Sequence, residues 1–289
     1  MKNLKHYFQK AQKEGWAMAQ INFSELNQMK GACACAKEMN SPILLGTSES
    51  ESKFFGLEEA VALRNVLQKR LAIPIFLNLD HGKDVEYIRK AIDAGYDMVH
   101  YDGSKHPLTE NIKNLRTLKK HIGWKDVLIE GEVGRIGNES SRLYNEKFMI
   151  NEDDLTKPEE AQKYMNDAKP DLLAVSIGNF HGIEASGIDP NLRLDRLDEI
   201  REKIGKNVPI VLHGGSGTPE DDIRNAIKRG IVKINVNTEV RLAFTGNLRR
   251  ALSADPEEIV PYKYLVEPQK SVSRVTKAKI KLFGSEGKI

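Results

Sequence analysis

Residues 208–235 read VPIVLHGGSGTPEDDIRNAIKRGIVKIN. An apolar run, Val208–His213, leads into a glycine-rich turn, a helix-period segment from Pro219 to Arg229, a stop at Gly230 and a second apolar run, Ile231–Asn235. That order is strand, helix, strand, the unit from which parallel sheets are built. The unit recurs: Ile88-Arg-Lys-Ala-Ile-Asp-Ala-Gly95 repeats the spacing of Ile223-Arg-Asn-Ala-Ile-Lys-Arg-Gly230, and each runs straight into an apolar segment. Working outward, the other candidate strands are Ala17–Asn22, Pro42–Thr47, Ile75–Asp80, Met98–Asp102, Val127–Glu132 and Leu172–Ile177, with helical spacing between them, as in Asp84–Ala94 and Pro107–His121. Eight βα units in about 250 residues predict an α/β fold, a closed (β/α)8 TIM barrel, with extra helices at the N-terminus and after Pro268. A doubly wound open sheet is the alternative. No Pro/Gly/Ser-rich linker interrupts the chain, so residues 1–289 are read as a single domain.

Composition excludes several function classes. Lys and Arg number 44 against 41 Asp and Glu, and no basic block is interleaved with aromatics, so nucleic acid is not an expected partner. No apolar run approaches the ~18 residues of a membrane span, and the N-terminus lacks the apolar core of a secretion signal. The two cysteines, Cys33 and Cys35, point to different sides of a helix and read as buried thiols. A cytoplasmic location is the expectation.

In such a barrel the site forms at the carboxyl ends of the strands, and those ends are polar here. They read Asn78-Leu79-Asp80-His81-Gly82, Asp102-Gly103-Ser104, Glu130-Gly131-Glu132, Gly178-Asn179-Phe180-His181-Gly182, His213-Gly214-Gly215-Ser216-Gly217 and Asn235-Val236-Asn237-Thr238. Singly, His81, His181 and His213 each read as structural histidines. Together, at the ends of three strands that converge, three imidazoles match a catalytic Zn²⁺ site, and imidazole suits other divalent transition metals as well. Strand parity turns Glu130, Glu132, Lys233 and His100 inward. Glu130 and Lys233 are expected as a buried ion pair, Glu132 as an alternate or transient ligand, and His100 as a satisfied core histidine. The glycine-rich turns, with a helix beginning at Pro219, offer free backbone N–H groups for a phosphate.

The combination NLDHG, Asp102-Gly-Ser, Glu130-Gly-Glu-Val-Gly134, AVSIGNFHG, VPIVLHGGSG and KINVNTEVRLAF, in this order, resembles the class II metal-dependent ketose-bisphosphate aldolases from about Asn22 to the FGSEGKI tail. The resemblance implies reversible zinc-dependent cleavage of a ketose 1,6-bisphosphate, fructose 1,6-bisphosphate first, to dihydroxyacetone phosphate and an aldehyde through a metal-stabilised enediolate. Tagatose 1,6-bisphosphate or a related phosphoketose is an alternative. So is a non-catalytic phosphosugar-binding homologue, because Ile183-Glu184-Ala185-Ser186-Gly187 holds no cation where many relatives carry a lysine. A Schiff-base aldolase using Lys233 is a third reading. The resemblance implies His81, His181 and His213 as metal ligands, with Glu132 ligating in part of the family. It makes Asp80 the acid/base at the breaking bond and Glu139 a mobile-loop acid. Gly182, Gly214, Ser216, Asn235, Asn237 and Thr238 become phosphate-side contacts, and Asn22 and Ser48 substrate-side polar residues. Zn²⁺ or another divalent ion is the implied cofactor, a monovalent cation a further candidate, and a homodimer or homotetramer the implied assembly.

Overall fold

The computed structural model describes residues 2–137, 142–186 and 189–289. Eight parallel strands close into a barrel: β1 (Met18–Asn22), β2 (Ile43–Ser48), β3 (Ile75–Gly82), β4 (Met98–Tyr101), β5 (Leu128–Val133), β6 (Leu172–Val175), β7 (Ile210–Leu212) and β8 (Ile231–Val236). Each pairs with its chain neighbours, and β1 pairs with β8 to close the ring. The expected closed barrel is therefore the observed one, and the open sheet is excluded.

The helices are α1 (Leu4–Glu14), α2 (Leu26–Glu38), α3 (Glu49–Phe55), α4 (Leu57–Leu71), α5 (Val85–Ala94), α6 (Leu108–Ile122) and α7 (Pro158–Asp167). They continue as α8 (Leu194–Ile204), α9 (Glu220–Lys228), α10 (Thr238–Ala254), α11 (Pro261–Tyr264) and α12 (Val266–Phe283). None of the described helices is long and apolar enough to cross a membrane.

Four strands are shorter than the sequence suggested, β6 and β7 by more than one residue and for local reasons. Pro209 has no N–H to give the ladder, so β7 starts at Ile210, two residues later than expected. At the end of β6, Ser176 N–H donates to Thr156 Oγ1 (2.8 Å) and Ile177 N–H to Asn179 Oδ1 (2.8 Å), which takes both out of the ladder. Elements the sequence reading omitted include α3, which starts on a Ser48–Glu51 capping box, and two short parallel strands, Leu143–Tyr144 and Ile183–Glu184, outside the barrel.

Outward-facing apolar residues such as Leu77, Leu79, Val99, Ile129 and Ile234 pack beneath the helices in one core. Inside the barrel lies a second, smaller core. Leu4, Tyr7, Phe8 and Ala11 form one face of α1, and with Trp16 they join Met18, Leu44, Phe76, Met98, Leu128, Leu172 and Val211. The extra N-terminal helix is thus a plug under the barrel, with the Tyr7 and Phe76 rings 5.7 Å apart. It closes the amino ends of the strands and leaves only the carboxyl ends open.

Candidate metal centre and active site

Two residues up from that apolar floor, the inner face of several strands turns polar. Met18 gives way to Gln20 and Asn22, Phe76 to Asn78 and Asp80, Met98 to His100 and Leu128 to Glu130 and Glu132. Asn78 Nδ2 donates to Gln20 Oε1 (2.8 Å), Gln20 Nε2 to Asn22 Oδ1 (2.9 Å), and Asn22 Nδ2 to Asp80 Oδ2 (2.8 Å). Glu130 and Lys233, both fully buried, form the ion pair: Lys233 Nζ donates to Glu130 Oε2 at 2.7 Å. The other carboxylate oxygen, Oε1, accepts from His213 Nε2 at 2.7 Å.

That contact fixes the His213 tautomer. With Nε2–H given to Glu130, Nδ1 keeps its lone pair, facing the Asn235 amide at 3.1 Å and Asp80 Oδ1 at 3.9 Å. His81 repeats the device: its Nδ1 donates to Asp102 Oδ2 (3.3 Å), and Asp102 is itself held by Ser104 through N–H (3.2 Å) and Oγ (2.6 Å). His81 Nε2 is left free toward Asp80 Oδ1, 4.0 Å away. A carboxylate on one ring nitrogen, with the other turned to a shared mouth, is how metal-ligating histidines are oriented.

The three histidines expected as ligands do converge. The His81 ring lies 4.5 Å from His181 and 4.4 Å from His213, centroid to centroid, and His181 lies 6.0 Å from His213. Among the described residues, donor atoms within 4.8 Å of one another occur in two sets, Asp80–His81–His100–His213 and His81–Asp102–Glu132. His181, expected as a ligand, belongs to neither set, and His100, expected in the core, lies within the first. Four acids (Asp80, Asp102, Glu130, Glu132) face a single buried ammonium, and Glu132 Oε2 and Asn235 Oδ1 are buried without a hydrogen bond. This donor chemistry and negative surplus fit a divalent cation.

The electrostatics separate the groups. Burial alone would raise the Asp80 carboxyl, but the neighbouring His81 charge first, and then the Lys233 ammonium, hold it well below the usual carboxylate range. Burial pulls His81 down, yet Asp80 and Asp102 outweigh it and lift the imidazole to about 9. Burial and the His81 charge lower His181 to about 3, and burial with the same neighbour drives His213 well below the ordinary imidazole value. Glu132 goes up, by burial first and then by Asp102.

A cavity of about 650 Å³ opens over these groups, lined by Asp80, His81, Glu132, His181 and His213 together with Ser48, Gly182, Gly214, Ser216, Asn235, Asn237 and Thr238. Asn22 sits apart from this lining, beneath Asp80. Gly214 has φ 68°, and a Cβ there would meet Phe180 O at 2.0 Å, so only glycine fits this turn. Ser216 Oγ accepts from Glu239 N–H (3.3 Å), which ties the turn to the start of α10. Glu139 lies outside the described residues.

The sequence reading did not single out Glu51 of α3, which gathers Asn22, Asn237 and the Arg241 guanidinium and accepts from Ser48 N–H. Its only signal was the capping box. Nor did it single out the cavity cations Lys83, Lys105, Arg135 and Arg241. Lys83 follows the NLDHG end of β3, and Arg241 stands one helical turn beyond Asn237, so both were findable from position.

The family profile described as "Fructose-bisphosphate aldolase class-II" matches residues 2–288. A fructose-bisphosphate aldolase of Ureaplasma parvum serovar 3 is 39% identical over 271 residues, covering 93% of this chain and 89% of that protein. A sulfofructosephosphate aldolase of Alkalicoccus urumqiensis is 33% identical over 286 residues, covering 98% and 96%. Among solved structures, the YdjI aldolase of Escherichia coli K12 superposes with a TM-score of 0.82 at 25% identity, covering 100% of this chain and 99% of that one.

Proposed function

Since the chain belongs to the class II fructose-bisphosphate aldolase family, and is therefore a carbon–carbon lyase, we propose that it reversibly cleaves a ketose 1,6-bisphosphate to dihydroxyacetone phosphate and an aldehyde. Fructose 1,6-bisphosphate is the first candidate substrate. The observation that carries this reading is the pair of carboxylate-oriented imidazoles, His81 on Asp102 and His213 on Glu130, opening onto Asp80 in one mouth.

His81, His213 and His181 would hold the divalent ion, with Glu132 as an alternate ligand, and Zn²⁺ is the first candidate for such a donor set. When bound, the ion supplies a Lewis acid for the carbonyl oxygen next to the breaking bond. Asp80 is ionised and aimed by two amides, Asn22 Nδ2 and Asn235 Nδ2, each at 2.8 Å, so it can take the hydroxyl proton of the bond being cleaved and return it to the aldehyde. The start of α10 and the turn Gly214–Ser216 form the phosphate side: the Asn237 side chain makes no cap hydrogen bond there, which leaves N-terminal N–H groups for an anion. Lys83, Lys105, Arg135 and Arg241 line the same cavity and give it positive charge for a doubly anionic substrate. That offsets the lysine missing after Gly182. Glu139 is assigned the proton transfer at the second carbon on resemblance, as are a monovalent cation and a homodimeric or homotetrameric assembly.

Lys233 does not favour the Schiff-base reading, because its ammonium is fully buried and committed to Glu130. A coupled assay across fructose 1,6-bisphosphate, tagatose 1,6-bisphosphate and the 1-phosphate of sulfofructose, before and after metal stripping, tests the proposal. Cleavage that disappears with the metal and returns with Zn²⁺ is expected, and His213→Ala should lose bound metal and activity together. Metal-free protein cleaving at full rate would overturn the reading. Ligand binding without turnover in the Zn²⁺-loaded chain would favour the non-catalytic homologue.

A further inference from the structure

We infer that His100 is a positioning residue of the metal centre, holding the backbone of His81 rather than ligating the ion. The inference rests on the reading of His81 as a ligand. It starts from an irregularity in the β3–β4 ladder, where Leu79 pairs with Val99 but Gly82 pairs with Tyr101. Asp80 and His81 together therefore stand opposite one residue, His100, which is a β-bulge. At the bulge His81 takes φ 51°, a left-handed conformation uncommon outside glycine. The bulge turns the partly buried His81 N–H away from the regular strand register, where it needs an acceptor.

His100 supplies that acceptor: the His81 N–H donates to His100 Nδ1 at 3.2 Å. The bond dictates the tautomer. A backbone N–H can only donate, so Nδ1 must hold a lone pair and the ring proton must sit on Nε2. A protonated Nε2 cannot ligate, and Nδ1 is held by a backbone N–H, whereas the amide beside His213 Nδ1 belongs to the Asn235 side chain, which also donates to Asp80; the His100 ring, fully buried, is therefore the one closed to the ion. Nε2–H faces Glu132 Oε2 at 3.3 Å along a bent approach, and neither atom has a formed hydrogen bond elsewhere. His100 thus meets two groups of the centre at once, the backbone of one ligand and the carboxylate of an alternate one. Any residue of similar size could fill the space, but only an acceptor at the Nδ1 position can satisfy the freed N–H.

The two ring nitrogens can be replaced one at a time. Asparagine sets its Oδ1 near the place of Nδ1, and glutamine sets its amide nitrogen near the place of Nε2. His100→Asn keeps the acceptor for His81, whereas His100→Gln and His100→Met remove it. Co²⁺ is the probe, with the dissociation constant taken from chelator competition and the ligand field from its visible absorption. Amide exchange of the peptide spanning residues 79–83 is followed in the metal-free chain. His100→Asn should bind Co²⁺ within about threefold of wild type and keep the segment protected, while His100→Gln and His100→Met should bind about 10–100-fold more weakly and exchange faster. Wild-type binding with no loss in His100→Gln, or with an equal loss in His100→Asn, overturns this inference alone. A wild-type chain that takes up no Co²⁺ overturns the metal reading and this inference with it. Should His100→Gln fail to fold, His100→Asn decides alone, because weak Co²⁺ binding in that variant is incompatible with the role assigned to Nδ1.

Discussion

The floor and the mouth of the barrel are built from the same faces of the same strands, yet they differ in almost every physical respect. Phe76 and Asp80 lie four residues apart on β3, and Leu128 and Glu132 four apart on β5, each pair on one side of its strand. At the floor, burial is favourable by itself, about 25 cal/mol for each Å² of apolar surface removed from water. At the mouth, burial of Asp80, Glu130, Glu132, His213 and Lys233 is costly unless each charge meets a partner. The fold therefore places apolar packing at the closed end and the ionisable groups at the open one, and α1 is what closes the first.

If that division holds, changes at one end should leave the property of the other untouched. The largest effect belongs to Asp80→Asn at the mouth. It should keep bound metal and the thermal midpoint while turnover falls about 10²–10⁴-fold, because the amide cannot accept the substrate proton. Metal content and single-turnover rate, measured on one preparation, check it. Equal loss of metal in this variant and in His213→Ala would assign Asp80 to the ion instead.

Phe76→Ala at the floor is the converse. It removes a ring that packs on Tyr7, and urea unfolding should find the chain about 3–5 kcal/mol less stable. Metal stoichiometry and the substrate KM should stay as in the parent. A shift in either would mean that the floor sets the geometry of the mouth, and the two regions would not be separable.

The difference between the ends also explains what was legible in the sequence. Periodicity and parity follow from the pleat alone, so eight strands, the inward acids, and the Glu130–Lys233 pair came from spacing. The convergence of His81, His181 and His213 followed from closing the barrel. The bulge at Asp80-His81 did not, because one extra residue in a ladder leaves no mark in a single strand. His100 accordingly read as an ordinary core histidine, and its bond to the His81 backbone needed the register of β3 against β4. Glu51 was hidden for a similar reason, since its partners come from β1 and from the start of α10.

The smallest predicted effect concerns a buried acid that, unlike Glu130, has no cationic partner among the described residues. Asp189 accepts from Glu184 N–H at 3.0 Å through Oδ1, while Oδ2 is buried without a hydrogen bond. Burial first, then the neighbouring Glu184 and Glu239, raise its carboxyl from 3.8 to about 6. The folded chain therefore holds this proton more tightly than the unfolded one. The associated stability is fully present below 3.8 and is lost as pH rises through about 6. Asp189→Asn keeps the Oδ1 acceptor and cannot ionise. Near pH 8 it should be more stable than the parent by about 1–2 kcal/mol after allowance for solvent screening, and the gain should vanish below about pH 4. Urea midpoints of both chains across that range check it. A gain independent of pH would mean that the Asp189 charge is matched as that of Glu130 is.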